Sequence, residues 1–201
     1  MNNTEFFILH ILVVLGIIID YYSSPKRVIN WIKLHELTHK ETEDICLFII
    51  EQLSQEYRVI NPEFEITNYK ENEIDTVRYY NDRTLAFFCG VNNKISLQIE
   101  TFKEEDCSFS GMVGCIAHEF QHYLDCLSFK TPEQWSLAYE KNVNYYEYKA
   151  NRFASKKLKK LSKILLKTPL KWKKITAKNR NMLTSLIIYC FKISVKKIKN
   201  I

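Results

Sequence analysis

The chain has little glycine and little proline, with only 4 of each among 201 residues. Both residues interrupt helices and strands, so their scarcity excludes a collagen-like or linker-rich protein and favours long ordered elements. Hydrophobic residues make up 46% of the chain and aromatic residues 13%. A chain of this length and composition is expected to bury a core as one domain, or as one domain with an appendage.

Acidic residues are missing from the last quarter of the chain. The last of them is Glu147, and residues 148–201 contain 17 Lys or Arg and no Asp or Glu. Residues 1–147 hold 12 basic and 23 acidic residues, a net charge of −11. An acidic body with a basic C-terminal segment is typical of a tail that meets nucleic acid, an anionic membrane surface or an acidic partner. A solvated helix face that balances the acidic body is the alternative interpretation.

The 6 cysteines form no C-x-x-C pair and no evident disulfide framework. This pattern favours reduced, mostly buried thiols and a cytoplasmic location.

The apolar run from Phe6 to Ile19 has 14 residues, whereas a membrane-spanning helix needs about 20. No basic residue precedes it and no small-residue cleavage site follows, so it fits a secretory signal poorly. A buried or partner-covered helix is the preferred interpretation, and a short membrane anchor is the alternative.

Two stretches match H-E-x-x-H, a pattern in which two histidines one helical turn apart bind zinc. They are HELTH at 35–39 and HEFQH at 118–122. In the first stretch, Thr38 and Glu41 have the spacing of a capping box, which predicts that a helix begins just after Thr38. Its two histidines then lie on either side of the helix start and do not share a helical face. We interpret this first match as a chance one.

The second stretch lies well inside a helix predicted over about 108–127. There His118 and His122 are one turn apart and can bind the same ion. Cys115 and Cys126 complete a pattern that looks like a four-ligand zinc set. These two cysteines are about 16 Å apart along a straight helix, so they cannot both reach one ion.

A catalytic zinc site needs a third protein ligand, with the fourth position left to water. The chain has no histidine after His122, so a carboxylate is expected. Glu147 is the candidate, on a helical region predicted to begin at the N-cap Thr131 and to break near 142–144. Asn151 lies one turn further on the same face, where its side-chain oxygen can accept the second ring N–H of a ligand histidine.

The segments AHEFQHYLD and YEYKANRFASKKL resemble the paired motifs of ImmA/IrrE-type zinc metallopeptidases. These are compact gluzincins with HExxH on one helix and E-x-x-A-N/D-x-F-A on the next. The resemblance covers roughly residues 40–160, and the chain departs from the family at Gln121, where Gly is frequent. The resemblance implies one zinc ion per chain and the following site residues: the ligands His118, His122 and Glu147, the general base Glu119, and Asn151 behind a ligand.

The fold class expected from this resemblance is α+β, a compact zincin-like metallopeptidase domain. It has an N-terminal helix, a small antiparallel sheet, the HExxH helix and the glutamate-bearing helix, plus a basic helical C-terminal segment. The expected divisions are 1–37 for the hydrophobic segment and its connection, 38–155 for the metallopeptidase domain and 156–201 for the basic segment. The resemblance also implies an edge strand above the site that pairs with an extended peptide substrate, formed by Lys94, Ile95, Ser96 and Leu97.

The implied function is hydrolysis of peptide bonds in a protein or peptide substrate, with Glu119 taking the proton of a zinc-activated water. Tyr145, Tyr146 and Tyr148 are candidates for a donor to the oxyanion, although packing is their preferred role. Two alternatives stay open. One is a membrane-associated gluzincin, since E-x-x-A-D/N also occurs in membrane-embedded relatives. The other is a non-catalytic zinc-stabilised module whose basic tail binds nucleic acid or membrane.

Overall fold

A computed structural model describes residues 34–67, 85–104 and 107–167, together with residues 8, 10–17, 29, 30 and 32. The chain divides into two compact units, one of Lys33–Ser162 and one of Met1–Ile32 with Lys163–Ile201. The described part is α+β. Its elements are a 3-10 turn Leu34–Glu36, α1 His39–Tyr57, β1 Glu63–Thr67, β2 Ala86–Cys89, β3 Lys94–Gln98, α2 Ile99–Glu104, α3 Phe109–Cys126, α4 Pro132–Lys141 and α5 Val143–Leu165.

The start of α1 confirms the predicted capping box. The Thr38 side chain accepts a hydrogen bond from the backbone N–H of Glu41, and the Glu41 carboxylate accepts one from the backbone N–H of Thr38. His39 is the first residue of α1, whereas His35 lies in the preceding 3-10 turn. The two histidines of HELTH are therefore not one turn apart on one helix.

The sheet is mixed, which corrects the expected antiparallel sheet. The strand order is β1-β3-β2, with β2 antiparallel and β1 parallel to β3. The residues Asn92 and Asn93 favour a turn. A hairpin joins β2 and β3 there, and Asn93 in its turn has a positive φ of 52°. Only a tight turn leaves a clear sequence signal, so the direction of β1, which is separated from β2 by a long connection, was not predictable.

β3 is the central strand, which corrects the expectation that it is an edge strand. Each residue of Lys94–Gln98 has a partner on β1, and Lys94–Leu97 also pairs with β2. The backbone of Lys94, Ile95, Ser96 and Leu97 is thus already used on both sides. Ile95, Ser96 and Leu97 are at most 1% exposed, as expected for a strand covered on both faces.

Helix α3 runs through the core and contacts α1, β2 and β3. Its N-cap is Ser108, whose side chain accepts a hydrogen bond from the backbone N–H of Gly111, so the helix begins within the predicted range. Fully buried side chains surround most of the helix, and burial of each large one stabilises the fold by roughly 1.5–3 kcal/mol. They are Phe109, Met112, Val113, Ile116, Ala117 and Phe120.

The predicted start of α4 and the predicted break before α5 are both confirmed. Thr131 caps α4 and Pro132 occupies its first turn. The chain leaves helical geometry at Asn142, so α4 and α5 are consecutive but separate helices. α5 continues without interruption past Lys156, the predicted start of the basic segment.

The inner face of α5 packs against the C-terminal end of α1. Lys157 forms an ion pair of 2.7 Å with Glu56, and its ammonium lies 4.7 Å from the centre of the Tyr57 ring. Phe153 packs on the same tyrosine, with ring centroids 5.6 Å apart. Leu161 is only 3% exposed. Part of the basic segment therefore balances the acidic body, as the alternative interpretation of the charge pattern expects.

Residues 10–17 of the N-terminal apolar run are helical. Within the described part of the chain, no helix is long and apolar enough to cross a membrane. Residue 8 is also helical, and residues 6, 7, 9, 18 and 19 of the run lie outside the described residues, as does Cys190. The described cysteines are free thiols, but Cys46 alone of these is buried, so the expectation of mostly buried thiols is wrong. Burial raises the pKa of Cys115 to about 12, which keeps that thiol protonated.

We expect Thr38→Ala to lower the free energy of unfolding by about 1 kcal/mol, because it removes the N-cap of α1. Urea unfolding would measure the difference. The matched control is His39→Ala, which removes an exposed side chain at the next position and should change stability by less than about 0.5 kcal/mol. Neither variant should lose bound metal in its folded fraction. A loss would mean that HELTH contributes to a metal site.

Candidate metal centre

Helix α3 holds both histidines of the second HExxH motif in fixed positions. Ile116 and Phe120 are fully buried, so the helix cannot rotate about its axis without exposing them. His122 is 4% exposed and its ring is packed edge-on against Tyr139, with centroids 5.5 Å apart. His118 lies one turn before it, and the two rings are 4.8 Å apart.

Three ligand-type atoms from α3 and α5 converge on one point. His118 Nε2 lies 3.1 Å from His122 Nε2 and 3.2 Å from Glu147 Oε2. His122 Nε2 lies 3.1 Å from Glu147 Oε1. Ligands of a tetrahedral zinc ion with bonds of about 2.0–2.1 Å are about 3.3 Å apart. The three side chains therefore have the mutual spacing that a small metal ion requires, and they form a group that can hold one.

The chemistry of these atoms also calls for a cation. Asn151 Oδ1 lies 3.1 Å from His118 Nδ1, and an amide oxygen can only accept, so that ring nitrogen carries the proton. In a neutral imidazole the lone pair is then on His118 Nε2, facing the acceptor oxygens of Glu147. Lone pairs facing one another repel unless a proton or a metal ion lies between them. The residues present therefore fit a metal ion.

The pKa shifts of His118 and Glu147 agree with a site that holds a positive ion. Burial lowers the pKa of His118. Its hydrogen bond to Glu147 and the charges of Glu119 and Glu147 together raise that pKa by more, so the net shift is upward. Hydrogen bonds from the two histidines hold the pKa of Glu147 well below its usual range. The site thus favours a negative carboxylate beside a positive charge.

Tyr139 is the contact that the sequence did not predict. Its hydroxyl donates a 2.7 Å hydrogen bond to Glu147 Oε1, the oxygen that faces His122. The helical geometry is interrupted at Asn142, between Tyr139 and Glu147, so the two residues lie on separate helices. A tyrosine eight residues before a glutamate has no helical relation to it, so the spacing carried no signal.

A partly buried ion pair ties α3 to α5 next to the site. Asp125 is 4% exposed and accepts hydrogen bonds from the Gln121 amide, at 2.8 Å, and from the Lys149 ammonium. Lys149 follows Glu147 by two residues, so the pair limits how far Glu147 can move from the histidines. Gln121 is buried, and its amide is used in this network.

Glu119 lies between α3 and the sheet and is 9% exposed. Burial raises its pKa to about 7, against the opposing charges of His122 and His118 and a backbone hydrogen bond from Phe88. Glu119 thus lies between His118 and His122 in sequence, and its carboxylate contacts β2. A carboxylate with this environment can exchange a proton near neutral pH.

The structure brings together His118, Glu119, His122, Glu147 and Asn151, as the sequence predicted. It does not bring the β3 backbone to the site as an open edge. Of the tyrosines considered as oxyanion donors, two are exposed, and Tyr146 packs on Tyr139 with ring centroids 5.9 Å apart. Comparisons with protein families, curated proteins and solved structures returned no match.

We expect His122→Ala to lower the metal content of the purified protein by well over half, because it removes one of three ligands. Elemental analysis of the folded monomeric fraction would measure the metal per chain. His39→Ala is the matched control, since it removes a histidine from the other HExxH stretch and should leave about one ion per chain. The opposite result, with metal lost only in His39→Ala, would overturn the assignment.

We expect Tyr139→Phe to weaken metal binding by roughly 10- to 100-fold, the usual effect of removing a hydrogen bond to a ligand. The substitution keeps the ring that packs on His122 and removes only the hydroxyl. Competition with a zinc chelator would measure the dissociation constant. Tyr145→Phe, which removes a hydroxyl from a side chain that is 60% exposed, should have no effect. Equal affinities for all three proteins would show that the Tyr139 hydrogen bond does not contribute.

Proposed function

We propose that this protein is a zinc-dependent peptidase of the ImmA/IrrE type that cleaves peptide bonds in a protein substrate. The observation that carries the proposal is the convergence of His118, His122 and Glu147 at 3.1–3.2 Å, with the buried carboxylate of Glu119 on the same helix. A purely structural zinc site has no need for such a carboxylate.

His118, His122 and Glu147 would hold the ion. When bound, zinc would supply a Lewis acid that polarises a carbonyl and acidifies water. A Glu119 carboxylate oxygen accepts a proton from the attacking water and then delivers it to the leaving amine nitrogen. The Phe88 N–H, which donates to Glu119, orients this carboxylate. Asn151 keeps the proton of His118 on Nδ1, so Nε2 stays available as a ligand.

The substrate strand would pair with β2 instead of β3. The N–H of Gln98 donates to the carbonyl of Leu85, and hydrogen-bonded positions alternate along an antiparallel pair. The backbone groups of Ala86 and Phe88 therefore face away from β3. Among the described residues, no strand pairs with this side of β2. An extended peptide added there would lie next to Glu119, because the Phe88 N–H on that side already contacts it.

We expect Glu119→Gln to lower peptidase activity by about 10²–10⁴-fold, since it removes the proton acceptor and keeps the shape of the side chain. Proteome-wide identification of new N-termini, with wild-type and variant protein added to a lysate, would measure cleavage. Glu140→Gln, an exposed carboxylate on α4, should cleave like the wild type.

Metal content should be unchanged in Glu119→Gln, since Glu119 is not a ligand. A wild-type protein that holds one zinc ion and generates no new N-termini would favour the non-catalytic module. Cleavage that is equal in wild type and Glu119→Gln would show that another group acts as the base.

A further inference from the structure

The outward face of α5 carries an unbroken row of aromatic and basic side chains. Tyr145 and Tyr148 are 60% and 64% exposed, and Arg152, Lys156 and Lys159 are exposed beyond them. Their spacings of three and four residues place all five on one side of the helix. We call these five residues the outer row. It is about 21 Å long at 1.5 Å per residue.

The opposite face of α5 is already occupied by the protein itself. Ala150, Phe153 and Leu161 are at most 9% exposed, and Lys157 is paired with Glu56. A helix that inserts into a membrane surface needs an available apolar face beside its basic one. The leucines of the basic segment would have supplied that face, but the buried Leu161 faces the domain. Insertion into lipid is therefore disfavoured.

From this arrangement we infer that the outer row binds single-stranded nucleic acid. Cations at regular intervals neutralise successive phosphates, and exposed aromatic rings give unpaired bases a surface on which to stack. A duplex offers phosphates but keeps its bases stacked on one another, so it would use the cations and not the tyrosines. A lipid headgroup would likewise leave the tyrosines without stacking partners.

The charge distribution directs a polyanion to this face. Residues 1–147 have a net charge of −11 and would repel it, whereas residues 148–201 contain no acidic residue. Lys157 and Lys160 share the single carboxylate of Glu56 on the side of α5 that contacts α1, whereas Arg152, Lys156 and Lys159 are exposed on the side directed away from α1. This inference does not depend on peptidase activity.

The experiment uses the full chain and a fluorescein-labelled 20-nucleotide single strand, followed by fluorescence anisotropy at several salt concentrations. The same sequence as a duplex, and vesicles of phosphatidylserine and phosphatidylcholine, are the comparison probes. We expect Tyr145→Leu/Tyr148→Leu to weaken binding to the single strand by about tenfold or more, since each stacked base contributes measurably. Binding to the duplex should change less than twofold.

A second pair of variants tests the cations. Lys156→Gln/Lys159→Gln should lower the slope of log affinity against log salt by about 1.4, because each phosphate contact on a single strand contributes about 0.7. The matched control Lys40→Gln/Lys130→Gln removes the same charge from α1 and from the loop before α4 and should leave the slope unchanged. Circular dichroism would check that each variant is folded.

Three results would overturn the inference. The first is an unchanged affinity of the tyrosine variant for the single strand, which would place any binding elsewhere in the chain. The second is equal loss of slope in the control pair, which would indicate a diffuse charge effect. The third is binding to anionic vesicles without binding to the oligonucleotide, which would identify a lipid surface as the partner.

Discussion

The convergence of three ligand-type atoms on one point is the constraint on which the centre of this protein depends. His118 Nε2, His122 Nε2 and Glu147 lie within 3.2 Å of one another, and Asn151 fixes the proton of His118 on the far side of its ring. Such an arrangement is stable only around a positive charge. The packing of α3, the hydrogen bond from Tyr139 to Glu147 and the Asp125–Lys149 pair hold these atoms together.

The two acidic groups of the site have different environments, which suits different roles. Glu147 is surrounded by donors, including Tyr139 and both histidines, so its pKa is lowered and it stays charged. Glu119 is buried with a single backbone donor from Phe88, and its pKa is raised to about 7. A group that stays charged suits the binding of a cation, and one that is near its pKa suits proton transfer. This division supports the proposed peptidase chemistry.

Arg152 and the described lysines of the basic segment are divided between the two faces of α5. On the inner face, Lys157 and Lys160 pair with Glu56 and hold α5 against α1. On the outer face, Arg152, Lys156 and Lys159 continue a row that begins with exposed tyrosines. The interpretation as a balancing charge therefore accounts for the inner face, and the outer row remains available to a polyanion. The interpretation as a surface for an anionic partner stays a proposal, and it concerns the outer row alone.

The sequence alone determined the features that depend on a few neighbouring residues. The capping box at Thr38 excluded HELTH, the four-residue spacing placed His118 and His122 one turn apart, and Thr131 with Pro132 marked α4. Each of these rests on hydrogen bonds or periodicity within one or two turns, so the local residues specify it. Glu147 and Asn151 could be predicted for a related reason, because they are one turn apart on a single helix.

Only the tertiary structure decided how distant segments meet. The choice between β2 and β3 as the edge strand depends on where β1 pairs, and parallel pairing across a long connection leaves no local turn signal. The hydroxyl of Tyr139 reaches Glu147 only because the chain turns at Asn142, and Lys149 reaches Asp125 across 24 residues. These contacts are set by packing of whole helices around a common core, which no short stretch of sequence encodes by itself.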